Sequence, residues 1–184
     1  MKSNTVTVLE KRFASRAISA EKLSEETVAD IAEAARLTPS CYNKQPWRFL
    51  FLESDGARAK AAEILVPQNL VWAGRAPLII IGYTTAADDC VLPDGREYHQ
   101  FDLGMSVMNI LMAATEHALV ARPMAGFNPD KARELFGLRP EDMPMIAIAV
   151  GKKSEDESHL PGFYKNLDSK PRERKPVAEV VKRL

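Results

Sequence analysis

The chain is short of the residues that several familiar kinds of site require. It holds only two cysteines, Cys41 and Cys90, far apart, with no CxxC and no histidine at metal-ligand spacing. That leaves neither a disulfide framework nor a zinc site, and free thiols are the expectation. Charge of one sign is also missing: 25 basic residues meet 25 acidic ones, so no overall basic field favours nucleic acid. No uninterrupted apolar run approaches a membrane span, and Met1–Thr7 lacks the apolar core of a signal peptide. A cytoplasmic protein without a membrane partner is expected. No Gly-x-Gly-x-x-Gly strand–turn–helix unit is present. His99, His117 and His159 are scattered, and no Ser-His-Asp, Cys-His or close carboxylate pair stands out to carry acid–base or nucleophilic catalysis.

What is there suits an ordinary globular protein: 184 residues, 46% apolar and 27% charged, enough for one domain spanning 1–184. Ser24-Glu25-Glu26 opens a helix running to about Leu37, where Pro39 stops it. Phe49–Leu52 reads as a central strand, and Ser54 or Asp55 starts a helix to about Leu65, ended by Pro67. Pro77–Tyr83 is the clearest buried strand, and 84–97 is a polar loop whose Asp88 and Asp89 read as turn and surface residues. Residues 98–119 form the longest helical pattern, with Met105, Val107, Met108, Ile110, Leu111 and Met112 leaving almost no polar face. A chain this small has difficulty covering such a helix, so a partner subunit is its natural cover. Asn128-Pro129 starts a short helix to about Gly137, and Met145–Gly151 is another buried strand. Residues 151–184 turn charged, yet Val177, Val180 and Val181 suit an arm that docks on another surface.

Three stretches have the chemistry of a binding site. Thr38–Phe49 brackets amide side chains between Pro39 and Pro46, and Asn43 and Gln45 offer donors and acceptors that match the edge of a heterocycle, with Trp47 as anchor. Arg12 and Arg16 stand four apart; on a helix they would share a face and present two guanidinium forks to a phosphate. Pro123-Met124-Ala125-Gly126-Phe127 reads as a tight, small-residue loop open to a ligand ring.

Together the Arg-rich start, the Pro-Ser-x-x-Asn-x-Gln-Pro-Trp loop, the Pro-Met-Ala-Gly-Phe turn and the basic, proline-containing tail resemble the nitroreductase family of FMN-dependent oxidoreductases, in the family's order and over nearly the whole chain. The resemblance implies an α+β fold, a mostly antiparallel sheet flanked by helices, made as an intertwined homodimer with FMN at the interface and residues 151–184 exchanged as an arm. It assigns Arg12, Phe13, Ala14 and Arg16, joined by Arg172 and Arg174, to the first basic segment and phosphate site. It assigns Pro39, Ser40, Cys41, Asn43 and Gln45 to the ribityl chain and ring, in part from the other subunit, and Pro123, Met124, Ala125 and Gly126 to the ring's reactive edge. Three features depart from the family pattern. Ala14 replaces a common serine or threonine, and the 84–97 loop is short where larger members carry extra helices, with Ala125 where some carry an acid.

The activity implied is ping-pong hydride transfer from NADH or NADPH through flavin N5 to a planar acceptor such as a nitroaromatic or quinone, with no catalytic side chain and no metal. The cofactor carries the chemistry while the protein binds and orients. Alternatives are another flavin reaction (dehydrogenation, dehalogenation, flavin fragmentation), a flavin sensor without turnover, and an unrelated α/β interaction module.

Overall fold

The computed structural model describes residues 3–184, so Met1 and Lys2 of the expected leaderless start lie outside the described residues. Its centre is the run Leu78–Thr84, which is buried on both faces. Strand alternation sends Ile79 and Ile81 to one side and Leu78 and Ile80 to the other, so two cores form on one sheet. Among the described residues the strands are β1 (Arg48–Leu52), β2 (Leu78–Thr84), β3 (Leu119–Met124) and β4 (Met143–Lys152), in the order β1-β2-β4-β3, and every neighbouring pair is antiparallel. The fold is α+β.

Among the described residues eight helices accompany the sheet: α1 (Asn4–Lys11), α2 (Glu25–Arg36), α3 (Asp55–Ile64), α4 (Pro67–Ala73), α5 (His99–Glu116), α6 (Pro129–Phe136), α7 (Gly162–Asp168) and α8 (Val177–Val180). The caps expected from sequence are in place. Ser24 accepts from the Thr27 amide, Ser54 from Ala57 and Asn128 from Lys131, and Gly137 ends α6 at φ +64°. One core packs Ile64, Trp72 and Phe127 against Ile79 and Ile81; the other packs Ile31 of α2 and Ile110 of α5 against Ile80 and Ile148. Ser106 Oγ of α5 donates to the Ala35 carbonyl, 3.0 Å away, joining α5 to α2.

Several expectations need correction. The pattern assigned to one helix over 98–119 divides: α5 ends at Glu116, Ala118 turns the chain at φ +55°, and Leu119 begins β3. Six residue pairs between β3 and β4 hold that strand, and this pairing outweighs continued helix. Pro67 does more than end α3, since it opens α4 at its first position. Arg12 and Arg16 share no helix face: α1 ends at Lys11, and Arg12 is already extended at ψ 122°. Cys41 and Cys90 are not free thiols; they form a disulfide with Cα atoms 6.2 Å apart, because the turn after α2 and the loop after β2 converge on the start of α5. Asp89 is no surface residue, as both of its carboxylate oxygens are buried without a hydrogen-bond partner. Among the described residues no helix is long and apolar enough to cross a membrane.

Candidate functional site

Once α1 stops, residues 12–17 continue without regular structure, bending at Arg16, to the bridge that Ile18 makes with Lys153. Ser15 and Ala17 are buried, while Arg12 and Arg16 border a cavity of about 320 Å³. The same cavity is lined by Phe13, Ala14, Arg122 of β3, Asp168 at the end of α7, and Lys170, Arg172 and Arg174. Six cationic side chains thus face one carboxylate.

That carboxylate is engaged. Asp168 accepts from the Arg16 amide at 2.6 Å and from the Arg16 guanidinium, while Arg122 lies 3.9 Å off. Arg16 also stacks 4.9 Å above the Tyr164 ring, and Arg122 sits 5.3 Å from the Trp72 ring and donates to the Ala14 carbonyl. Arg172 donates to the carbonyls of Leu9, Glu10 and Arg12, at the C-terminal end of α1, where backbone acceptors lack helical partners.

Burial first, and neighbouring positive charge second, act on the guanidinium groups here. Burial, then Arg172 and Arg174, push the Arg12 guanidinium below its ordinary value. Burial and Arg16 do the same to Arg122, with Asp168 opposing. Arginines pressed together this way are stabilised by an added anion, and a phosphate dianion with three acceptor oxygens matches the donors present. A larger, more apolar cavity of about 540 Å³ adjoins through Arg12, Arg172 and Arg174 and is bordered by Leu9, Met108, Leu111 and Pro123.

The amide loop lies elsewhere, between α2 and β1. Thr38 is buried and accepts from Asn109 Nδ2 at 2.7 Å; Trp47 is buried as anchor, and the Pro46 carbonyl accepts from Thr84 Oγ1 at 3.2 Å. Between these fixed ends the backbone holds Tyr42, Asn43 and Gln45 at φ of 45°, 57° and 52°, a region that non-glycine residues seldom adopt. Ser40 Oγ accepts from the Gln45 amide at 2.9 Å, Gln45 Nε2 donates to the Asn43 carbonyl at 3.0 Å, and the Cys41 amide donates to Asp102 Oδ2 at 2.7 Å. The Asn43 side chain is exposed.

Of the residues expected at the site, Arg12, Phe13, Ala14, Arg16, Arg172 and Arg174 meet at the smaller cavity, and Pro123 joins the larger one. Pro39, Ser40, Cys41, Asn43 and Gln45 line neither. Pro123 and Met124 belong to β3 rather than to a loop; Pro123 sits on an edge strand, where its missing N–H costs no ladder bond, and Met124 is buried. Ala125 is exposed, and the turn occupies 125–128. The close approach at Gly126 is made by the protein itself: a Cβ there would meet Asn69 Nδ2 at 2.7 Å and Val66 at 2.9 Å. Arg122, Asp168 and Lys170 were not foreseen. The one signal for Arg122 is a cation inside an otherwise apolar strand.

The α+β architecture thus carries an arginine-lined cavity beside a more apolar one. A sequence model described as the nitroreductase family matches residues 9–79 and 69–152, and the chain belongs to that family. The oxygen-insensitive NAD(P)H nitroreductase of Enterobacter cloacae is 24% identical over 219 residues, covering 96% of this chain and 97% of that protein. YdgI of Bacillus subtilis (strain 168) is 25% identical over 171 residues, 74% of this chain and 82% of that one. Among solved structures, a nitroreductase family protein from Clostridium difficile 630 superposes with a TM-score of 0.80 at 23% identity, over 98% of both chains.

Proposed function

We propose that this protein is an FMN-dependent oxidoreductase that takes hydride from NADH or NADPH and delivers it to a planar acceptor such as a nitroaromatic or quinone. The observation that carries the reading is the cavity in which six cations face one already engaged carboxylate, next to an apolar cavity wide enough for a ring system. The related protein of Enterobacter cloacae is named for NAD(P)H and nitro compounds, and one structure of the same fold, with a TM-score of 0.85 at 24% identity, is described as an oxidoreductase containing FMN.

Arg12, Arg16, Arg172 and Arg174, with Arg122 behind them, would hold the phosphate, and Pro123 would flank the ring. Bound FMN supplies the hydride chemistry at N5. The residues of the chain orient the ring and leave one face open for donor and acceptor in turn, which makes the reaction ping-pong. Solvent supplies protons, so no side chain need act as acid or base.

The Pro39–Gln45 loop completes the site from a second copy. Support comes from its position outside both cavities and from an unpartnered apolar stripe on α5: Phe101 is 61% exposed, and Met105, Met108 and Met112 follow it at helical spacing, each half-buried. Val6 and Leu9 of α1 are also exposed beside the larger cavity. The arm expected over 151–184 is shorter: β4 continues to Lys152, Leu160 is buried in the chain's own core, and Asp168 and Arg172 pack on the chain's own first segment, so the arm we assign is the end of the chain from Val177. Val177, Val180 and Val181 are 74%, 69% and 55% exposed on a single copy, which suits burial on a partner.

The test is the visible spectrum of the protein incubated with FMN and desalted, recorded anaerobically before and after NADH and then NADPH, with light scattering for mass. A retained flavin that bleaches on a dimer is the expected result. A colourless protein, or a bound flavin untouched by either nucleotide, would overturn the reading.

A further inference from the structure

The Cys41–Cys90 bridge lies in an environment unusual for a permanent staple. Permanent staples do not require a proton source, and this one has two carboxyl groups beside it. A carboxylate oxygen of Asp89 and the two sulfurs all lie within 4.8 Å of one another, and both Asp89 oxygens are buried without a hydrogen bond. Asp102, 1% exposed, uses Oδ2 for the Cys41 amide and leaves Oδ1 buried and unpartnered. Burial first, then Asp102, hold the Asp89 carboxyl above its ordinary value, with the Cys90 amide and His99 pulling the other way. His99 is buried too; its Nε2 lies 3.3 Å from Glu97, and its Nδ1 has no partner. A carboxyl buried beside a second carboxyl favours its protonated form, and Asp89 is placed to pass a proton to a departing sulfur.

We propose that Cys41–Cys90 is a reversible two-electron redox site, opened by a small dithiol, with Asp89 as the acid that protonates the departing sulfur. Cys41 is the more exposed residue of the pair, half-buried where Cys90 is only 9% exposed. A thiolate of the reductant attacks Cys41 Sγ, the S–S bond breaks, and the electron pair leaves on Cys90 Sγ, which takes the Asp89 proton. The second thiolate of the reductant then attacks its own sulfur in the mixed disulfide. Cys41 is released and takes a proton from solvent, and Asp89 is reprotonated by the proton the reductant gave up. Two electrons and two protons have passed from the dithiol, which ends as a cyclic disulfide. The bridge spans 49 positions and is one of the ties on the Cys41–Asn43 turn, beside the bond from the Cys41 amide to Asp102, so opening it loosens the turn that carries Asn43.

The inference stands apart from the assignment of FMN, and its test uses the full chain without flavin. The oxidised protein is equilibrated in graded mixtures of reduced and oxidised dithiothreitol without denaturant, quenched with iodoacetamide and weighed by mass spectrometry. Two thiols should appear together and disappear on reoxidation, and Asp89→Asn should slow opening about tenfold near neutral pH, a modest factor because a thiolate leaves readily. Asp89→Glu should recover most of the rate, which separates a proton-transfer role from a merely structural one. Thiols that appear only after denaturation, or never re-pair, would overturn the redox site. An unchanged opening rate in Asp89→Asn would overturn the role of Asp89.

Discussion

The arginine cradle and the amide loop solve different problems with different materials. The cradle gathers Arg12, Arg16, Arg122, Asp168, Arg172 and Arg174 from distant parts of the chain, and its geometry is set by tertiary contacts: Asp168 on Arg16, aromatic rings under Arg16 and Arg122, α1 carbonyls around Arg172. The loop takes its groups from one continuous stretch, shaped by prolines, three left-handed residues and a disulfide. The cradle therefore carries an electrostatic demand that a ligand can meet. The loop carries backbone strain and a few neutral amides, which select shape and contribute little affinity. For the FMN proposed above, this division would have the phosphate set how tightly the ligand is held and the loop set which ring is accepted.

The sharpest way to break that division is to remove two cradle cations at once. Arg12→Ala with Arg174→Ala should weaken FMN by roughly 10²–10⁴-fold, at about 1.5–3 kcal/mol for each charged hydrogen bond, while riboflavin affinity stays as it was. Fluorescence titration with the two flavins side by side checks it. Equal losses for both would mean that the arginines do not read the phosphate.

Asp168→Asn attacks the cradle from the other side. The Arg16–Asp168 pair is nearly buried, with side-chain exposures of 14% and 11%, and breaking such a pair costs about 3–5 kcal/mol. The variant should melt well below the parent and regain part of the loss in inorganic phosphate, because an anion then meets Arg16 and Arg122. A loss that phosphate leaves unchanged would show Asp168 to be a packing residue with no bearing on the anion site.

The same contrast explains which features are legible in the sequence. Local signals came through: the caps at Ser24, Ser54 and Asn128, the buried strand at 78–84, and the amide loop, whose residues adjoin in sequence. The cradle was legible only in part. Arg12, Arg16, Arg172 and Arg174 could be named by resemblance, but Arg122 and Asp168 enter through the register of β3 and the placement of α7, which no local pattern encodes. The boundary at Ala118 was hidden for a related reason, since alanine is a strong helix former and only the pairing of Leu119–Met124 with β4 turns the chain there. The disulfide was invisible because a separation of 49 residues says nothing about whether two thiols meet.

A smaller effect belongs to the loop. Gln45→Ala removes a neutral amide and should weaken FMN and riboflavin alike by about 2–10-fold, on about 0.5–1.5 kcal/mol per neutral hydrogen bond. The same titrations decide it. If Gln45→Ala discriminates between the two flavins, the loop rather than the cradle reads the phosphate end and the division above fails.

The smallest predicted effect tests what the loop's underside contributes to stability. The Asp89 carboxyl is held above its ordinary value in the folded chain by burial and then by Asp102. Between the unfolded value of about 3.9 and the higher folded one, the native protein keeps a proton that the unfolded chain has released. The contribution of this group is therefore most favourable at low pH and is lost as pH rises through the folded value. Asparagine cannot lose that proton, so Asp89→Asn should gain on the parent as pH rises and level off once Asp89 is ionised. Urea unfolding of both proteins with the disulfide intact, at steps between about pH 4 and pH 8, supplies the comparison. Two curves that run parallel would mean that Asp89 titrates no differently in the folded and unfolded chains, and that the carboxyl pair beneath the loop holds no shared proton.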